Sequence, residues 1–159
     1  MASDYLLEID GIKGESIDDK HKGALEIESF SWGETNTGSF SMGTGGGAGK
    51  ASLQDFHFTT NLSSASPVLM QKCTTGEHIK KATLYVRKQG GTQLEYYTWK
   101  FEDLLITSFQ TGGSGGSPLP VEQISFNFAK IEITYKSQDD SGKEQSPTIF
   151  KYDQRTKKS

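Results

Sequence analysis

The chain has 159 residues, of which 33% are hydrophobic, with a net charge of -3 at pH 7 and a mean hydropathy of -0.58. That length fits one domain (residues 1–159) with one core; the low apolar share means much of its strand surface faces water, and the acidic balance leaves no electrostatic footprint for nucleic acid. One cysteine, Cys73, excludes a disulfide within the chain and is compatible with the cytoplasm.

The first ten residues, MASDYLLEID, have neither a basic start nor a long apolar run, so they read as neither export signal nor membrane anchor. No later stretch approaches the roughly 18 apolar residues that span a bilayer, so no direct membrane insertion by this chain is expected. Tyr5, Leu7 and Ile9 alternate in period two, as do Leu25 and Ile27, followed by Phe30 and Trp32 in the opposite phase. These are half-buried antiparallel strands. Ser31, between two aromatics, points away from both. Glu26 and Glu28 share a phase with Phe30 and Trp32, a mixed face that suits a subunit contact.

Residues 41–52, SMGTGGGAGKAS, look like a nucleotide-binding loop but fail its requirements. The position five before Gly49 is Thr44, the residue after Lys50 is Ala51, and the chain from Leu53 to Thr60 has a strand rhythm through Phe56 and Phe58 rather than a helical one. A glycine-rich loop between strands fits better. Ser66-Pro67 heads a helix of about two or three turns, with Ser66 as N-cap, apolar Val68, Leu69 and Met70, and Gly76 at the C-terminal cap. Leu84 and Val86, then Tyr97, Trp99 and Phe101, form a hairpin across Gly90-Gly91. A second glycine loop, TGGSGGSPLP, precedes a long strand from Val121 to Tyr135. Its apolar phase slips at Phe128-Ala129, which predicts a bulge and therefore a bent strand in a barrel or packed sheets. Residues 137–148 read as a polar loop, a short strand comes next around Ile149, and residues 153–159 read as a flexible tail.

Catalytic candidates are thin. Cys73 with His78 would make a thiol and a base, but nothing in the sequence orients them. Asp55 and His57 share a strand face and suit a relay if a serine met them, although alternation makes them the wet face of that strand. His21, His57, His78 and Cys73 are too scattered for a metal motif. The carboxylates Asp18-Asp19, Asp139-Asp140, Glu26 and Glu28 read as solvated charge, as do the pairs Lys80-Lys81, Arg87-Lys88 and Lys157-Lys158. No catalytic, metal or cofactor residues are assigned, and the chain reads as a non-enzyme. Two other readings stay open: a monomeric β-barrel carrier of an apolar small molecule, and a phosphate-binding enzyme acting through residues 43–50.

An ordered set of motifs carries a resemblance. Lys13-Gly14-Glu15-Ser16, Ser31-Trp32-Gly33, the glycines ending in Gly49-Lys50, Gln54-Asp55, Ser66-Pro67 with Cys73, Arg87-Lys88, Thr111-Gly112-Gly113-Ser114-Gly115-Gly116 and Asn127-Phe128-Ala129 resemble the Hcp family. These are the haemolysin-coregulated proteins of bacterial type VI secretion. The resemblance runs from about Tyr5 to Tyr135; the tail lacks the Gly-Trp or similar aromatic pair of many members. It implies a mainly β fold, a compact β-barrel of two antiparallel sheets with one short flanking α-helix. It further implies homohexameric rings with a wide channel, stacked head to tail into a tube inside a contractile sheath behind a spike (VgrG). Such a protein is cytoplasmic before assembly, then secreted to the medium or target cell without a cleaved signal peptide, and some members carry effector proteins in the lumen. On that pattern Gly43, Thr44, Gly45, Gly46, Gly47, Ala48, Gly49 and Lys50 lie on a ring-stacking or subunit-contact loop. Gly112, Gly113, Ser114, Gly115 and Gly116 lie at a ring edge, and Ser31 faces the lumen.

Overall fold

One long strand closes the sheet on itself. The computed structural model describes residues 3–38, 50–90, 94–139 and 141–159. Its elements are β1 (Ser3–Ile9), β2 (Leu25–Ser31), β3 (Glu34–Asn36), β4 (Ala51–Leu53), β5 (Phe56–Asn61), α1 (Ser66–Thr75), β6 (Ile79–Lys88), β7 (Glu95–Gly112), β8 (Val121–Tyr135) and β9 (Thr148–Asp153). The main sheet runs β5-β2-β1-β6-β7-β8-β9, and a further β5–β8 pairing makes its first six strands a closed barrel. The 15 residues of β8 pair with β7 along one edge and divide the other edge between two partners: residues 121–126 pair with β5, and residues 130–135 pair with β9. β3 and β4 form a separate two-stranded ribbon. The fold is mainly β with one short helix, as expected.

The barrel is filled with aromatic rings. Phe56, Phe58, Phe101, Phe126 and Phe128 are each at most 2% exposed. Phe101 lies 4.9 Å from both Phe56 and Phe126, centroid to centroid. Removing such a side chain from water contributes about 1.5–3 kcal/mol, and favourable ring pairs add about 0.5–1.5 kcal/mol.

Two phase changes in the sequence have distinct causes. In β2 the register against β5 steps between Ile27 and Ser29, so Glu28 is the extra residue. The step returns Phe30 to the core side, 5.8 Å from Phe56, and Trp32 stands 5.8 Å from Trp99. The mixed face expected for Glu26, Glu28, Phe30 and Trp32 therefore does not form, because the bulge separates the acids from the aromatics. In β8 the slip at Phe128-Ala129 is not a bulge in that strand. The ladder runs Glu102↔Lys130 then Leu104↔Phe128 with its register intact, and the unpaired step sits opposite Asp103, whose φ is 55°. Both strands change face together there. The β7–β8 register steps elsewhere, between Ile106 and Ser108.

The helix begins as the Pro67 signal predicts but is capped differently. Ala65 is the N-cap and makes no side-chain cap. Ser66 instead donates its hydroxyl to Glu122 Oε1 at 2.6 Å, with both residues fully buried. Leu69 is the apolar side chain that docks, while Val68 and Met70 stay substantially exposed. Gly76 ends the helix at φ 64°, a left-handed value that glycine adopts without a Cβ penalty. Gly90, at φ 76°, begins the β6–β7 turn, of which residues 91–93 lie outside the described residues.

Candidate functional site

Strand register assembles a polar wall on the outside of the barrel. Ser31, His57, Ser125 and Ser108 are cross-strand partners on β2, β5, β8 and β7. The next row along the same face is Ser29, Thr59, Gln123 and Gln110. Cross-strand partners point to one side, so these eight side chains form a continuous face whose single titratable member is His57. Its hydroxyls bond among themselves: Ser29 Oγ lies 2.7 Å from Thr59 Oγ1, and Ser108 Oγ lies 2.6 Å from Ser125 Oγ. A shallow groove of about 440 Å³ runs over it, lined by Ser29, Ser31, His57, Thr59, Ser108 and Gln123 among others. Ser31 thus points away from the core, as its position between Phe30 and Trp32 predicts.

Two rows on the outer face of β6, β7, β8 and β9 differ in kind. Lys81, Glu102, Lys130 and Asp153 form one cross-strand row and Thr83, Lys100, Glu132 and Lys151 the next. Exposed pairs such as Lys151 with Glu132 at 3.6 Å contribute little to stability, about 0–1 kcal/mol, but they make that wall charged.

The β3–β4 ribbon and the β7–β8 loop leave the polar wall at opposite ends. The ribbon β3–β4 springs from the Ser31 end of β2 and is exposed along β3. Trp32 Nε1 donates to the Gln54 carbonyl at 2.8 Å, fastening the ribbon's base. Lys50 is exposed and donates its N–H to Thr37 Oγ1 at 3.0 Å. Gly43, Thr44, Gly45, Gly46, Gly47, Ala48 and Gly49 lie outside the described residues. At the other end Gly112 pairs with Val121, which pairs with Asn61, and the loop through Gly113, Ser114, Gly115 and Gly116 is exposed.

The catalytic candidates do not converge. His78 meets Asp103 at 2.9 Å rather than Cys73, which packs partly buried against the core. Asp55 accepts from Thr107 Oγ1 at 2.8 Å and Asn127 Nδ2 at 2.9 Å, so its oxygens are engaged away from His57.

Several charges expected to be solvated are structural. Arg87 is 5% exposed and donates from Nη2 to Asp18 Oδ1 at 2.7 Å. That bond holds the Asp18 carboxyl down to about 2. His21, 7% exposed, lies between Glu8 Oε2 at 2.8 Å and Glu95 Oε1 at 2.5 Å and stacks on Tyr85 at 4.0 Å. Residues 153–159, expected as a tail, turn back on themselves: Gln154 donates to the Ala129 carbonyl at 2.8 Å and Asp153 to the Lys158 carbonyl at 2.8 Å.

The comparisons with known proteins agree with this architecture. Residues 6–135 match the family model described as type VI secretion system effector, Hcp. The chain belongs to the Hcp family. It is 38% identical over 152 residues to Protein hcp1 of Pseudomonas aeruginosa strain PAO1, covering 94% of each chain. A solved structure of a type six secretion system protein superposes with a TM-score of 0.93 at 31% identity, covering 99% of both chains. Hcp1 from Salmonella typhimurium superposes with a TM-score of 0.80 at 32% identity, again over 99% of both. Hcp proteins are secreted structural proteins of type VI secretion. No helix among the described residues is long and apolar enough to cross a membrane.

Proposed function

We propose that this Hcp-family chain, acting as a single domain, assembles into homohexameric rings that stack head to tail as the tube of a type VI secretion system. The Ser31 face lines the bore. The observation that carries this reading is the pair of rows without Asp, Glu, Lys or Arg, Ser31-His57-Ser125-Ser108 and Ser29-Thr59-Gln123-Gln110, on a barrel that carries two densely charged rows across β6, β7, β8 and β9. Repeated around a ring, such a wall offers hydrogen bonds to passing effector proteins without selecting them by charge. The wall's ends fit stacking. Head-to-tail growth needs two different surfaces; the β3–β4 ribbon, whose connection contains residues 43–50, stands at the Ser31 end of the wall, and residues 112–116 stand at its other end, between β7 and β8. We assign the first loop to ring stacking or subunit contact and the second to the ring edge. Sheath and spike proteins are the remaining partners, and the chain passes from the cytoplasm into the medium or target cell. It acts structurally rather than as an enzyme. A monomeric small-molecule carrier needs a ligand cavity inside the barrel, and five phenylalanines fill that space.

Electron-dense labelling tests the orientation. In a Cys73→Ser background, Ser31→Cys and Lys151→Cys are each coupled to a maleimide gold cluster and imaged as assembled rings. Label within the central hole for Ser31→Cys and on the rim for Lys151→Cys supports the reading. Rim label for Ser31→Cys overturns it.

A further inference from the structure

We infer that residues 16–22 form a flap held on the outer wall of β1 and β6 by a two-point ionic latch, one point permanent and the other released when His21 loses its proton. The flap's backbone closes at its base, where Ser16 donates to the Ala24 carbonyl and Gly23 donates to the Ser16 carbonyl. Beyond that base, its attachments to the barrel are ionic or stacked. Asp18 takes the Arg87 guanidinium, and His21 sits between Glu8 and Glu95 over the Tyr85 ring. Asp18 Oδ2 also accepts the N–H groups of Lys20 and His21, both at 3.1 Å, so the two latch points share one turn. Apolar packing does not hold the tip: Ile17 is 88% exposed. Leu6 pairs with Tyr85, the ring on which His21 stacks, lies outside the core cluster and is only 4% exposed, so the proposal places it under the flap.

The two points respond differently to pH. Arg87 stays charged at any pH the fold meets and Asp18 ionises near 2, so that point holds from acid to alkali. At His21 only the imidazolium donates to both carboxylates; the neutral ring donates to one and turns a lone pair on the other. Burial alone pulls His21 down, but the hydrogen bonds and charges of Glu95 and Glu8 outweigh it and raise the imidazole above its ordinary 6.5. A raised folded value means the latch is fully closed below 6.5 and is lost as pH rises through that higher value. The charged and titratable groups around it are Asp4 and Glu8 on β1, Glu26 on β2, Tyr85 and Arg87 on β6, Glu95 on β7, and Asp18, Asp19, Lys20 and Lys22 on the flap. Carboxylates dominate beside the ring, so losing its proton leaves Glu8 and Glu95 without a shared counter-charge. The flap then swings about Asp18 and uncovers Leu6. The latch does not depend on which wall lines the bore.

The test tracks His21 and the flap in the full chain by NMR between about pH 6 and about pH 9. The imidazole midpoint and the loss of amide-exchange protection at Ala24, whose N–H donates to the flap's His21 carbonyl at 3.1 Å, measured relative to β7 amides, should coincide above the ordinary histidine value. Glu95→Gln should lower the midpoint by about one pH unit, a tenfold drop in proton affinity, with the flap's loss of protection moving in step. A wild-type midpoint at or below the ordinary value overturns the proposal. So does flap protection that stays constant while His21 titrates.

Discussion

Ser66→Ala isolates the contact that joins the helix to the barrel. Glu122, on β8, is fully buried; its Oε1 takes the Ser66 hydroxyl at 2.6 Å, and its buried Oε2 has no protein partner among the described residues. Ser66 Oγ also accepts the Ser63 N–H at 3.0 Å, so the substitution strands both a buried carboxyl oxygen and an amide. Leaving a buried polar group unsatisfied costs about 1–3 kcal/mol, and about 2 kcal/mol is expected here. In a domain of this size that lowers Tm by about 4–8 °C. Glu122→Leu removes the carboxyl, so the double variant should fall short of the summed single costs by about 1 kcal/mol or more. Urea unfolding monitored by circular dichroism, at fixed protein concentration and with unchanged slope, measures both quantities. A Ser66→Ala loss under about 0.5 kcal/mol, or strictly additive effects, would refute the coupling.

Phe56→Ala, at the meeting point of Phe30, Trp99, Phe101 and Phe126, should cost about 3–5 kcal/mol in the same unfolding assay, and a loss near 1 kcal/mol would mean the core collapses around the gap. The Asp18 carboxyl, held to about 2 by Arg87 against an ordinary 3.8, should return toward the ordinary value in Arg87→Gln when titrated by NMR. Because its folded value is depressed, its contribution is present above 3.8 and fades as pH falls toward about 2; a wild-type Asp18 titrating at 3.8 would contradict the ion pair.

Local signals made the scaffold legible. Period-two alternation marked β1, β7 and β8, Pro67 and Gly76 bracketed the helix, and Gly90 marked the β6–β7 turn. Ser31's orientation came from its two aromatic neighbours. Alternation cannot say which strand absorbs a phase change. The β2 bulge at Glu28 and the left-handed Asp103 were therefore invisible, and one slip was assigned to the wrong strand. The polar wall needed register: Ser31, His57, Ser125 and Ser108 sit far apart in sequence until pairing sets them in one row. The same holds for Asp18 with Arg87 and for His21 with Glu8 and Glu95. Short charged pairs in a sequence give no sign of their distant partners, so buried Arg87 read as solvent-facing. Glu122 was missed because a lone acid in an alternating strand reads as surface, and only the docked helix buries it.

The most direct measurement is light scattering on the size-exclusion peak of the purified chain, with negative-stain images of the same fraction. A mass of six subunits and rings with an open centre are expected. A monomer at every concentration, with no ring in the images, would contradict the proposed ring.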